Sequence, residues 1–183
     1  MNKHISSRKT SFLAAAMIGA ALILSGCASP TTHEAMVPVG IQVAKQHPKS
    51  VSVTADGGSD TDSMGKSQIS NDALKQAVVA AINQSKAFSS VVEGKNGDYT
   101  LAVNLISLTQ PSFGFSFTVG MEMGWTLTRV DSGVVVWRES IKSEHTASAT
   151  DAFAGTTRLR MATEGAARNN VAAGLTKISA LSL

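Results

Sequence analysis

The most regular pattern in the chain is an alternation of apolar and small or polar residues between positions 113 and 127. Every odd position there carries a large apolar side chain: Phe113, Phe115, Phe117, Val119, Met121, Met123, Trp125 and Leu127. The even positions carry Ser, Gly, Thr or Glu. Period-two alternation places one face of a strand against a core and the other toward solvent. The pattern therefore predicts a long strand with one apolar face.

A hairpin is predicted directly after this strand. Asp131-Ser132-Gly133 fits a three-residue loop in which Gly133 takes the left-handed conformation. An odd loop length pairs odd-numbered residues with odd-numbered residues, so further apolar side chains should share the same face: Val135, Trp137 and Ile141. A two-residue loop would instead place charged residues opposite apolar ones.

Two patterns in the first half of the domain predict a strand and a helix. Residues 51–55 form the strand, with valines on one face. Ser70 or Asn71 then caps a helix that ends near Lys86, and Asp72 in its first turn suits the helix dipole. The helix carries apolar residues at helical spacing, so that one stripe faces a core: Leu74, Ala77, Val78, Ala81 and Ile82.

The second half adds a strand and a helix around the hairpin. Residues 99–105 alternate as a strand, and the apolar phase then moves to Ile106 and Leu108, which indicates a β-bulge. The last helix spans about 156–181 and carries an apolar stripe toward its end: Val171, Leu175 and Ile178. The order β-α-β-β-β-α, with a long β-hairpin and a C-terminal helix, predicts an α+β fold built as a two-layer sandwich.

The first 26 residues have the pattern of a secretory signal. Lys3, Arg8 and Lys9 precede residues 12–24, which carry no charge or strongly polar group. As a helix this run would reach only about 20 Å, short of the roughly 30 Å hydrocarbon core of a bilayer. A permanent transmembrane span is therefore not expected.

Leu24-Ser25-Gly26-Cys27 contains the only cysteine of the chain and resembles the lipobox of bacterial lipoproteins. The resemblance implies cleavage between Gly26 and Cys27, lipidation of the Cys27 thiol and acylation of the new N-terminus, commonly with palmitate. Two or more acyl chains hold a protein stably on a membrane. Ala28 stands where lipoproteins kept in the inner membrane commonly carry aspartate, so the resemblance implies anchoring in the outer membrane, facing the periplasm.

Removing the leader changes the charge balance. The whole chain has 16 Lys and Arg against 13 Asp and Glu, a net charge of +3, and the three excess charges all lie in the leader. The neutral mature chain gives no electrostatic support for binding nucleic acid. Residues 27–50 hold three of the four prolines and no sustained periodicity, which predicts a lipidated N-terminus and flexible tether. Residues 51–183 are expected to form a single periplasmic domain.

The order of elements and the size of the domain are similar to three groups of small periplasmic α+β domains. These are the N-terminal domain of the Tol-associated translocation protein, the penicillin-binding-protein activator lipoproteins and the curli secretion lipoprotein. The stretch from the turn at Asp131 to Trp137 resembles one that such proteins often carry. This resemblance concerns architecture, since fold alone does not give function.

Three groups of residues partly resemble known kinds of binding site. Gly65-Lys66-Ser67 ends like a phosphate-binding loop, but Asp60 stands where that loop needs its first glycine. Asp56, Asp60 and Asp62 lie in one loop and could attract a divalent cation. A calcium-binding loop, however, ends with a glutamate, and none stands at that position here. The histidines of the chain show no metal-ligand spacing: His4, His33, His47 and His145. Neither a metal nor a cofactor is therefore predicted.

The only candidate catalytic cluster in the sequence consists of Glu144, His145 and Asp151. Serines lie nearby, and an acid–histidine group of this kind can activate a serine as a nucleophile. Polar residues at a strand exit are far commoner than catalytic ones, and no nucleophile-elbow motif occurs. The prediction is a non-enzymatic outer-membrane lipoprotein whose domain binds another cell-envelope component by a strand edge or by the Ser/Thr/Gly-rich sheet face. The alternatives are a subunit of an oligomeric export channel and a periplasmic hydrolase.

Replacing Cys27 by Ser tests the lipid anchor. We expect Cys27→Ser to release the domain into the soluble periplasmic fraction or to stall the precursor, because the thiol that carries the lipid is gone. Cell fractionation and the intact mass of the native protein measure this. Unchanged membrane association of Cys27→Ser, or a native protein without added hydrocarbon mass, would show that the anchor is wrongly predicted.

Overall fold

A computed structural model describes residues 28–63, 65–94 and 96–183, which form one five-stranded sheet with helices packed on it. The predicted α+β fold class is confirmed, including the long hairpin and the C-terminal helix. In chain order the elements are α1 (His33–Met36), β1 (His47–Asp56), α2 (Asn71–Ser85), β2 (Phe88–Val91), β3 (Tyr99–Thr109), β4 (Phe117–Arg129), β5 (Val135–Ala147) and α3 (Gly155–Ser179).

The sheet has the strand order β2-β1-β3-β4-β5. β1 lies parallel to both β2 and β3, whereas β3, β4 and β5 are antiparallel neighbours. β2 is an element that the sequence pattern did not predict. It has four residues, FSSV, of which only Phe88 is buried, so it carries no alternation long enough to recognise.

The core lies between one face of the sheet and the helices α2 and α3. From Phe117 to Leu127 the odd-numbered residues of β4 are buried, as the alternation predicts. The predicted stripes of α2 and α3 are fully buried as well. The side chain of Ser70 accepts a hydrogen bond from the Ala73 amide at 3.2 Å, so Ser70 is the N-cap of α2. Lys86 ends this helix in the left-handed conformation at φ 56°.

The hairpin follows the predicted odd-to-odd register over most of its length. Leu127 lies opposite Trp137 and Met123 opposite Ile141, and Gly133 takes the left-handed conformation at φ 67°. The prediction for Val135 is wrong. A register shift next to Leu127 places Val135 opposite Thr128, and its side chain is exposed.

The strand predicted from position 113 begins only at Phe117. Phe113 and Phe115 lie in the preceding loop and are almost completely exposed. The physical reason is the backbone at Gly114, whose φ of 150° belongs to a loop rather than to a strand. In β3 the predicted bulge is confirmed between Leu105 and Ser107.

The segment before β1 differs from the predicted flexible tether. β1 begins at His47 rather than at 51, and residues 28–46 pack on the domain. Met36, on the single turn of α1, is completely buried. The apolar side chain of Met36 and hydrogen bonds to α3 hold this segment in place, although its sequence has no periodicity. The domain therefore extends to residue 28 within the described part of the chain.

Close approach of α3 to β4 determines how the two layers pack. The Trp125 ring lies against Gly174, where an added Cβ would come within 2.7 Å of the ring atoms. Trp125 is fully buried, and its indole N–H donates to the Asn170 side chain at 2.9 Å. Asn170 in turn donates to the carbonyl of Ile141 at 2.8 Å. One helix position thus satisfies the polar atom of the largest core side chain.

Gly174→Ala tests this packing. We expect it to lower the free energy of unfolding by about 1–3 kcal/mol, because the new methyl group must displace the buried Trp125 ring. Gly120→Ala is the control, since a Cβ added there would have the Cβ of Thr109 as its nearest neighbour, at 3.9 Å. Denaturant unfolding of both variants measures the difference. Equal stabilities would contradict the assigned role of Gly174.

Candidate functional site

The second face of the sheet is not covered by α2 or α3. It presents the even-numbered residues of β4, which are half-buried or exposed and carry small or polar side chains: Thr118, Gly120, Glu122, Gly124, Thr126 and Thr128. We call this surface the open face. Successive side chains of a strand point to opposite faces of the sheet. When the odd-numbered side chains of β4 face the core, the even-numbered ones therefore lie on the open face.

A groove of about 460 Å³ runs across β3, β4 and β5 on the open face. Gly120 contributes no side chain to the groove, and the bulge in β3 lies directly before the lining residue Ser107. The residues that line the groove are mostly small or polar: Ser107, Thr109, Gly120, Met121, Glu122, Lys142, Ser143 and Glu144. A shallow surface of this kind suits a partner that offers hydrogen-bonding groups.

The charges in the groove are linked to their neighbours. Glu122 accepts a hydrogen bond from the Ser140 hydroxyl, and its other carboxylate oxygen lies 3.8 Å from the Lys142 ammonium. Toward one end of the hairpin, the hydroxyls of Thr118 and Thr146 lie 2.8 Å apart. These contacts link side chains of neighbouring strands and place hydroxyl and carboxylate oxygens on the open face. The chemistry they offer is hydrogen bonding.

The edge of the sheet at β5 is partly occupied by α3. The Asn170 and Asn169 amides donate to the carbonyls of Ile141 and Glu144, both at 2.8 Å. The Ser143 hydroxyl donates to the carbonyl of Ala166 at 2.9 Å. Covering a strand edge in this way hinders the addition of a further strand. Compared with the β5 edge, the open face is thus the more accessible binding surface.

The phosphate-loop-like segment has a different role in the structure. The Ser67 hydroxyl is buried and donates to the carbonyl of Ser29 at 2.8 Å. The Lys66 ammonium donates to the carbonyl of Gln110 at 3.1 Å and to the Ser112 hydroxyl at 3.4 Å. Both side chains connect protein segments to one another, so they do not form a cradle for phosphate.

The candidate metal ligands are not brought together. Asp56 accepts hydrogen bonds from the Gly57 amide and, at 3.5 Å, from the Asn71 side chain, so it stabilises the loop before α2. His33 lies beside Glu34, whereas His47 is buried with its Nε2 atom 2.9 Å from the carbonyl of Ile178. Within residues 28–63, 65–94 and 96–183, no group of three or more His, Cys, Asp or Glu could hold a metal ion.

The cluster of Glu144, His145 and Asp151 lacks the geometry of a catalytic relay. The Asp151 carboxylate accepts hydrogen bonds from the amide and the hydroxyl of Ser148 at 2.7 and 2.8 Å. These bonds, with a smaller effect of the His145 charge, hold the pKa of Asp151 below its ordinary value. The His145 ring instead packs against Gly165 of α3. Asp151 therefore caps a turn, and His145 is a packing residue.

The segment before β1 is fastened to α3 by polar contacts that the sequence analysis did not identify. The Thr32 amide donates to the Glu164 carboxylate at 3.0 Å, and the Arg168 guanidinium donates to the carbonyl of Ala35 at 2.9 Å. Glu164 is seven residues before Val171, on the stripe of α3 that faces the core. That spacing was the available signal that this carboxylate is buried.

Burial raises the pKa of Glu164 above its ordinary value of 4.5. The hydrogen bond from Thr32 and the charges of Arg160 and Arg168 act in the opposite direction, but they do not outweigh the loss of water around the carboxylate. Folding therefore costs free energy when Glu164 is ionised.

Comparisons with known proteins give a fold for this chain. No model of a protein family matches it, and no curated protein matches it. Protein XCC0632 from Xanthomonas campestris, assigned to the family DUF330, has a similar structure with a TM-score of 0.63 and 18% sequence identity, over 82% of this chain and 94% of that one.

Two further solved structures share the fold. A candidate lipoprotein from Caulobacter crescentus has a TM-score of 0.51 and 14% identity, over 70% of this chain and 87% of its own. The uncharacterized lipoprotein B of Nitrosomonas europaea has a TM-score of 0.50 and 14% identity, over 76% and 87% of the two chains. Across the part of our chain that the structure describes, no helix combines the length and apolar character needed to cross a bilayer.

The pH dependence of stability tests the role of Glu164. The folded state holds the Glu164 proton more tightly than the unfolded chain, so the free energy of unfolding should fall as the pH rises from 4.5 through the raised pKa. Glu164→Gln should lack this fall, because its amide cannot ionise and can still accept from Thr32. Denaturant unfolding between about pH 4 and pH 8 measures both profiles.

Glu34→Gln is the matched control, since Glu34 lies in the same segment with an exposed side chain. Its profile should keep the fall seen in the unsubstituted protein. A Glu164→Gln profile that still falls in this range would show that another group causes the pH dependence.

Proposed function

We propose that the protein is a non-enzymatic lipoprotein, anchored in the outer membrane through Cys27, whose open face binds another component of the cell envelope. The anchor acts by acyl chains, and the domain beside it holds the partner at the membrane. Two binding modules on one surface meet at a high effective concentration, so even a modest affinity is sufficient for a stable association.

The lipid anchor is supported by the motif that ends at Cys27. Leu24-Ser25-Gly26-Cys27 follows an apolar run of the length that a secretory signal requires. Cys27 itself lies outside the described residues. Two of the solved structures with this fold carry the name lipoprotein, one of them as a candidate, which is consistent with the proposal.

The groove on the open face is the observation that carries the binding role. The open face is grooved, largely polar and not covered by α2 or α3, and its side chains contact one another across the strands. Fixed hydrogen-bonding groups reduce the entropy lost when a partner binds. The groove also differs from the opposite face, where the large side chains from Phe117 to Leu127 are buried in the core.

The two alternative functions receive less support from the geometry. An export channel would need the apolar stripe of β4 for contacts outside the domain, whereas Val119, Met123 and Trp125 are fully buried beneath α3. A hydrolase would need His145 in contact with a serine and a carboxylate, whereas Asp151 is bonded to Ser148. The adaptor role, which is the binding of another envelope component, uses the open face.

Site-specific photocrosslinking in intact cells tests the binding surface. A photoreactive residue at Lys142 or Thr126 should yield a crosslink to one envelope protein, because both positions belong to the open face. The same residue at Gln76, exposed on α2, is the control and should not yield that product. Equal labelling at all three positions would count against the open face as the binding surface.

Gly120→Lys tests the groove directly. The new side chain should fill it and reduce the crosslinked product from Thr126 at least tenfold, while the melting temperature stays unchanged, since an added Cβ meets no atom closer than 3.9 Å. Gln76→Lys, with the same added charge on α2, should leave the crosslink intact. A normal yield with Gly120→Lys would place partner binding elsewhere.

A further inference from the structure

Three phenylalanine side chains project from the domain with almost no protein around them. The exposed fractions of Phe113, Phe115 and Phe153 are 88%, 87% and 99%. Single exposed apolar residues are common on proteins, but several large aromatic rings on neighbouring loops indicate an interaction site. We call these three residues the aromatic tip.

One arginine joins the two loops that carry the aromatic tip. The Arg158 guanidinium donates from Nη1 to the carbonyls of Ala152 and Phe153 at 2.9 and 2.7 Å, and from Nη2 to the carbonyl of Gly114 at 3.4 Å. It also lies over the Phe117 ring, 5.4 Å from its centre. The backbone on both sides is therefore fixed by a single side chain, and the rings of Phe113, Phe115 and Phe153 are presented together at one end of the domain.

The N-terminal end of the described chain lies beside the same loops. The Ala28 amide donates to the carbonyl of Ser63 at 3.0 Å, and the carbonyl of Ser29 accepts from the buried Ser67 hydroxyl.

The contacts continue from there to the loop that carries Phe113. Lys66, next to Ser67 in the chain, donates to the carbonyl of Gln110 and to the hydroxyl of Ser112, and the Gln110 side chain donates back to the carbonyl of Ser67 at 2.7 Å. Ser112 directly precedes Phe113. A short series of contacts thus connects Ala28 to the aromatic tip.

From this juxtaposition we propose that the aromatic tip inserts into the interfacial layer of the bilayer that holds the lipid of Cys27. The inference rests on the proposed function, because it requires an acylated Cys27. Cys27 is bonded to Ala28, and successive Cα atoms are only about 3.8 Å apart. An acyl chain on Cys27 therefore enters the membrane beside the loops that carry the exposed rings.

Phenylalanine is among the residues that bury the apolar side of interfacial segments about 5–10 Å into the boundary between headgroups and acyl chains. A lipid anchor and apolar side chains that enter the same bilayer reinforce each other. The location beside Ala28 favours a lipid surface over a protein partner as the occupant, because membrane is what an acylated Cys27 brings to this end of the domain.

The proposal also fixes the orientation of the domain. β4 has 13 residues and runs from the aromatic tip to the hairpin loop, a length of about 40 Å. The loop at Gly133 then points away from the membrane, and the groove on the open face lies along the side of the domain. The domain stands on its tip rather than at the end of a long tether.

Tryptophan reporters in the acylated protein test this orientation. The full-length chain is matured in a bacterial host, checked for acylation by intact mass and reconstituted in phosphatidylethanolamine–phosphatidylglycerol vesicles with brominated acyl chains. Phe113→Trp, Phe115→Trp and Phe153→Trp should each shift their emission to shorter wavelength and lose at least half of it to quenching. The signal of native Trp125 and Trp137 is subtracted with the unsubstituted protein.

Val134→Trp is the matched control, because Val134 is also apolar and 54% exposed but lies at the far hairpin loop. Its emission should remain that of a tryptophan in water. Vesicle-bound protein in which the reporters at 113, 115 and 153 emit like Val134→Trp would overturn the proposal.

The remaining outcomes identify what else covers the aromatic tip. A shift without bromine quenching that grows with protein concentration would show a second copy there, and a shift that needs an added envelope extract would show a protein partner. Either result overturns insertion into lipid. Absence of acyl mass on the mature chain is a different failure, because it removes the proposed lipid anchor itself.

Discussion

The close contact between α3 and the apolar face of the sheet is the interaction on which the rest of the structure depends. Gly165 and Gly174 allow the helix backbone to approach the rings of His145 and Trp125. Between them, Asn170 satisfies the indole N–H of Trp125 and a carbonyl of β5. Without the two glycines the helix would stand further from the sheet, and the largest core side chain would lose both its packing and its hydrogen-bond partner.

The same helix connects the regions outside the core. Arg158 in its first turn fixes the two loops of the aromatic tip, and Glu164 one and a half turns later fastens the segment before β1. Asn169 and Asn170 then reach the carbonyls of β5. Because one rigid element makes all these contacts, the aromatic tip, the N-terminal segment and the open face keep fixed relative positions. The proposed adaptor role depends on this property.

The sequence predicted those parts of the fold in which a long periodic pattern meets a single core. The alternation in β4, the stripe of α2 and the left-handed Gly133 were correct for that reason. It failed where stability comes from contacts distant in the chain. β2 is too short for a pattern, and residues 28–46 are held by Met36 and by Glu164, which lies more than a hundred residues away. The open face could be predicted from the alternation, whereas its groove depends on how three strands align. The aromatic tip was concealed because Phe113 and Phe115 continue the period of β4 past its first residue.

The position of α3 after all five strands has a consequence for how the domain folds. The apolar side of β4 and β5 stays uncovered until the ribosome has made the residues of α3, and β1 needs β3 as a neighbour before it is paired on both sides. A high proportion of such non-local contacts slows folding. Completion of the core therefore waits for α3, which follows all five strands in chain order, even though β3, β4 and β5 can pair as soon as they are made.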